Sequence, residues 1–147
     1  MEVRPLKQAQ QRNFDFYKLF MDNYSFQIEA TTCIDEPDNR VNIIFPSGIP
    51  HYQISDESWK DKLIYEIRQH EENNSYCFFE VVSKKEYGQY LEEESSGIFN
   101  PLNDDYKIYI FFFYNHVVEV VSYEEPIFVY SYTYEYNKDW IISKQQA

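Results

Sequence analysis

YKIYIFFFYNHVVEVVSYEEPIFVYSYTYEY, from Tyr106 to Tyr136, carries the reading of the fold. Tyr106–Tyr114 is aromatic or aliphatic at nearly every position, so both of its faces call for burial, as in a central strand. Asn115-His116 fits a two-residue turn, and Val117–Tyr123 follows as the next strand. Glu124-Glu125-Pro126 interrupts the chain before Ile127–Tyr136. There Phe128, Tyr130, Tyr132, Tyr134 and Tyr136 share one face, and Ile127, Val129, Ser131, Thr133 and Glu135 share the other. Consecutive strands joined this tightly predict antiparallel pairing.

Working outward, Phe26, Ile28, Ala30, Thr32 and Ile34 alternate with polar residues, which predicts a strand over Tyr24–Ile34. Glu36-Pro37-Asp38-Asn39 has turn chemistry, and Val41–Phe45 completes a hairpin. Between Pro5 and about Asn23 the stripe of Ala9, Asn13, Tyr17, Phe20, Met21 and Tyr24 predicts a helix. Ser55 is a candidate cap for a second helix, with Trp59, Leu63, Ile64 and Ile67 as its buried stripe. Lys62 and Glu66 stand one turn apart on it. Ser75–Val82 is apolar on both faces and reads as a central strand. Ser83-Lys84-Lys85-Glu86 has capping-box form, so a short helix with Tyr87, Tyr90 and Leu91 inward should follow. Ser95–Asp105 reads as a loop, and Trp140, Ile141 and Ile142 are expected to dock the tail. The order α-β-β-α-β-α-β-β-β predicts one α+β domain over residues 1–147. Its sheet would be mostly antiparallel, of about six strands, with two or three helices packed on it.

The charge is lopsided. Asp+Glu number 25 against 13 Lys+Arg, a formal net charge of -12, while 20% of residues are aromatic. Acidic chains that stay unfolded are poor in aromatics, so this one is read as a folded protein with an acid-rich surface. Direct binding to nucleic acid is not expected, because it normally uses a Lys/Arg footprint. An anionic membrane surface would repel the chain as well. Met1–Pro5 lacks the apolar run of a signal peptide, and no apolar stretch is long enough to span a bilayer as a helix, so a cytoplasmic protein is expected. Cys33 and Cys77 are read as reduced thiols in strands rather than as a disulfide scaffold.

No catalytic or cofactor pattern stands out. His51, His70 and His116 are scattered, neither cysteine sits in a nucleophile's local sequence, and Asp35–Asn39 lacks the glycine and spacing of a calcium loop. With 3 Gly in the chain there is no phosphate cradle. No enzyme, cofactor or metal is therefore expected. The candidate partner surface is the last strand with the acids beside it: Asp104, Asp105, Glu124, Glu125, Tyr130, Tyr132, Tyr134 and Glu135. An outward tyrosine row would give contact area at low entropy cost, and the carboxylates would steer a Lys/Arg-rich partner. The alternative turns these rings into the core with only their hydroxyls wet.

In class and composition the chain is similar to bacterial immunity proteins that neutralise nuclease toxins. The likeness implies an inhibitory binding protein directed at a basic nuclease. Two further readings remain open. One is a phage or plasmid inhibitor that imitates nucleic acid to block a defence nuclease. The other is a small-ligand or sugar-binding domain built on the tyrosine row.

Overall fold

The computed structural model describes residues 2–6, 14–22, 24–32, 40–70, 72–73, 76–94, 105–114, 116–134 and 137–143. Within it, residues 14–17, 22, 32, 131–134 and 137–143 are described by strand course alone. The strands are β1 (Val3–Pro5), β2 (Phe14–Asp22), β3 (Ser25–Thr32), β4 (Arg40–Phe45), β5 (His51–Asp56), β6 (Phe78–Val81), β7 (Lys107–Phe112), β8 (His116–Ser122), β9 (Ile127–Tyr134) and β10 (Asn137–Ser143). Helices α1 (Asp61–Arg68) and α2 (Lys84–Glu94) flank β6, and a 3-10 turn, Glu57–Lys60, leads into α1.

The protein is α+β, built on two five-stranded antiparallel sheets rather than one sheet of about six strands. One runs β1-β6-β7-β8-β5 and the other β10-β9-β4-β3-β2. They meet face to face through aromatic rings. Phe78 stacks on Phe128 across the interface at 5.9 Å, and Phe45 lies 5.8 Å from Tyr109. The opposite face of the first sheet, through Phe79, Ile108, Ile110, Val117 and Val121, packs under Leu63 and Ile67 of α1 and Tyr87 and Leu91 of α2. Three layers result, with the central sheet apolar on both sides. That is why β7 reads as apolar at almost every position.

Several expectations are corrected. The predicted first helix is strand over Phe14–Asp22, β2. Strand β2 carries a bulge between Phe16 and Lys18, which breaks the period of two and leaves apolar spacing that imitates a helix. Ser55 lies in β5, an edge strand in which Tyr52 and Ile54 alternate with Gln53 and Ser55 over too short a run to stand out beside the helical pattern that follows; both apolar side chains remain partly exposed. The Ser83 hydroxyl accepts a hydrogen bond from the Glu2 backbone N–H at 2.9 Å, tying β1 to the start of α2. Trp140, Ile141 and Ile142 lie in β10, paired with β9. Cys77 is a half-buried thiol outside any disulfide, whereas Cys33 falls outside the described residues.

Gly48 holds φ at +79°, and a Cβ there would stand 2.7 Å from the Tyr24 carbonyl oxygen. Both the dihedral and the backbone contact exclude a side chain. Gly48→Ala is expected to lower stability by about 1–3 kcal/mol, read as a fall in denaturant midpoint at unchanged slope. An unchanged midpoint would remove this turn's claim on glycine.

Candidate protein-binding face

Strand β8 places Glu119 among valines. Val117 and Val121 face the helices, and by the alternation of the strand Glu119 must too. It is 1% exposed there, so its charge needs a partner. Lys60 supplies it. The Asp56 side chain caps the 3-10 turn by accepting from the Ser58 N–H at 2.9 Å. With three residues per turn rather than 3.6, the segment turns Lys60 inward and Trp59 outward. Lys60 is 4% exposed and Trp59 83% exposed. This corrects the predicted stripe: Leu63 and Ile67 are buried as expected, but Trp59 projects into solvent.

Around Lys60 the contacts close into a network. Its Nζ donates to Tyr90 Oη at 2.6 Å and to both Glu94 oxygens at 2.8 and 3.0 Å. It also lies 2.9 Å from Glu119 Oε1, an ion-pair contact outside aligned hydrogen-bond geometry. The Tyr87 hydroxyl donates to Glu119 Oε2. Tyr87, Tyr90 and Glu94 recur at helical spacing along α2, so one helix face presents all three. Burial raises the pKa of Glu119 against the opposing pull of Lys60 and Tyr87. Burial alone would lower the pKa of Lys60, but the neighbouring Glu119 charge and the bonds to Glu94 and Tyr90 outweigh it and leave the value raised. The Tyr90 hydroxyl is pushed up to about 12, chiefly by burial.

Above this network the helical layer is acidic. Its exposed acids are Asp56, Glu57, Asp61, Glu72, Glu86, Glu92, Glu93 and Glu94, whereas its exposed bases among the described residues are Lys62 and Lys85. That is eight against two, whereas the other exposed charges among the described residues are two acids, Glu2 and Asp105, and three bases, Arg4, Lys18 and Arg40. Trp59 and Tyr65, the latter 67% exposed, stand on the same layer. Between α1 and α2 lies a pocket of about 340 Å³ lined by Trp59, Lys60, Lys62, Leu63, Glu66, Glu86, Tyr87 and Tyr90.

The described residues singled out in the sequence divide between core, loop contacts and open surface. Tyr130 is 6% exposed, packed in the core beside Phe128. The even-numbered face of β9 thus turns inward at Phe128 and Tyr130, because it lies against the other sheet. Tyr132 and Tyr134 continue β9 opposite Asp139 and Asn137, with their side chains outside the description. Glu124 accepts from the Ser47 N–H, and Glu125 pairs with Lys107 at 2.9 Å. Asp105 is exposed; Asp104 and Glu135 lie outside the described residues. Sequence reasoning missed Lys60 and Glu119. The available signal was the lone carboxylate in VVEVV, a charge where a central strand should be apolar.

No family model, curated protein or solved structure matches the chain. Among the described residues no helix is long and apolar enough to cross a membrane.

Proposed function

We propose that this is an acidic inhibitory binding protein of the immunity type, acting in the cytoplasm by masking a basic, nuclease-like toxin. The observation that supports this most is the acidic helical layer from which Trp59 projects. Carboxylates steer a basic surface toward it and raise the association rate, while an exposed indole provides the large desolvated contact that slows dissociation. The same charge repels nucleic-acid phosphate and anionic lipid. A nucleic-acid mimic would offer carboxylates in an unbroken stripe, and Trp59 and Tyr65 interrupt this face.

The test uses a basic protein captured from the native host and assayed for nuclease activity with and without this protein. Inhibition is expected, with an association rate that falls about tenfold or more between low and high salt. Trp59→Ala should speed dissociation about 30-fold. Capture without inhibition, or association at one rate across salt, would reject the reading.

A further inference from the structure

We propose that the pocket between α1 and α2 is an arginine-recognition site that takes the guanidinium of a partner side chain; this rests on the reading above. The pocket is concave, and its volume is at the lower end for small-ligand sites, enough to admit one long side chain. Lys60 and Lys62 meet Glu66 and Glu86 at its lining. Glu94 and Glu119, outside the lining, hold Lys60 in ion pairs, which leaves Lys62 against Glu66 and Glu86 at the lining. Lys60 has little to offer an anion, since Tyr90, Glu94 and Glu119 already take up its ammonium. A cation is therefore favoured.

Ring geometry narrows the choice of cation. Trp59 stands exposed at the rim, and Tyr87 and Tyr90 lie inside with centroids 5.2 Å apart. A flat, weakly hydrated guanidinium can stack on an indole while bonding carboxylates in its plane, whereas a lysine ammonium is compact and strongly hydrated. Leu63 gives the apolar stem a surface to lie on. Glu66 and Glu86 are the carboxylates assigned to the guanidinium.

The probe is N-acetyl-arginine methylamide, with N-acetyl-lysine methylamide as comparison, titrated into the full chain. The readout is the Trp59 indole N–H resonance, assigned with Trp59→Phe. A saturable shift is expected with the arginine probe and a response about tenfold weaker with the lysine probe. The double variant E66Q/E86Q should bind the arginine probe about tenfold more weakly, with its amide spectrum otherwise overlaying wild type. If the double variant disturbs the fold, Glu86→Gln alone, at an exposed helical position, should weaken binding about threefold. Absence of a saturable shift, an equal response to both probes, or undiminished binding by the glutamine variants would overturn the proposal. None of these outcomes alters the salt dependence or inhibition measured with the whole partner, so failure of the pocket and failure of the interface are told apart.

Discussion

Lys60→Met is expected to destabilise the protein by about 3–5 kcal/mol at neutral pH. The substitution keeps the chain's length and removes the ammonium, leaving Glu119 in the apolar layer under α2 with only the Tyr87 hydroxyl as a donor among the contacts described. A carboxylate stranded in that setting keeps its desolvation penalty and loses its compensation. The double variant Lys60→Met with Glu119→Leu removes charge and counter-charge together, so it should recover most of the loss. Urea denaturation of the two singles and the double measures the coupling directly. A Lys60→Met loss below about 1 kcal/mol would mean that Glu119 is carried protonated and that the pair contributes no charge attraction.

The same network predicts a pH dependence with a definite sign. Glu119 holds its proton to higher pH when folded than when unfolded, because it is buried. Its contribution is complete below its ordinary value of 4.5 and is lost as pH rises through the folded value. Lys60 also has a raised value, so its contribution is complete below 10.5 and is lost only at strongly alkaline pH. Wild-type stability relative to Glu119→Gln should therefore decline as pH climbs from 4.5 toward neutrality. A rise over that interval would show that Lys60 outweighs burial.

Phe78→Ala is the second large effect, at about 3–5 kcal/mol. Phe78 is 1% exposed and touches three other rings: Phe111 at 5.3 Å, Phe113 at 5.7 Å and Phe128 at 5.9 Å. The first two belong to its own sheet side and the third to the opposite sheet, so truncation opens a cavity at the seam between layers. Both sheets are held by their hydrogen-bond ladders, which limits collapse into that cavity and keeps the cost high. Phe78→Leu should retain more than half of the stability lost in the alanine variant. Should the alanine variant unfold at the wild-type midpoint, the aromatic seam would not be what joins the sheets.

Where a segment's environment repeats along the chain, the sequence is readable. β7 declares itself because it is covered on both faces, and β3 and β4 because every second residue is apolar. α2 is legible from Tyr87 and Leu91. Reading fails where a local irregularity changes the period. The bulge in β2 makes a strand resemble a helix, and the 3-10 turn before α1 exchanges Trp59 for Lys60. The expected outward placement of Tyr130 fails for a related reason. Alternation puts the β9 aromatics on one face without saying which face is covered, and the sheet containing β6, β7 and β8 covers the face bearing Phe128 and Tyr130.

Composition and periodicity by themselves determined that this chain folds, that its folded class is α+β, and that it carries a large excess of negative charge. Those properties are sums or repeats along the backbone. Tertiary structure decided that the strands form two sheets, that Lys60 meets Glu119 from a turn 59 positions away in sequence, and that the acids collect over the helices with Trp59 among them. Each of these is a contact between distant segments, set by which faces exclude water together rather than by any local pattern.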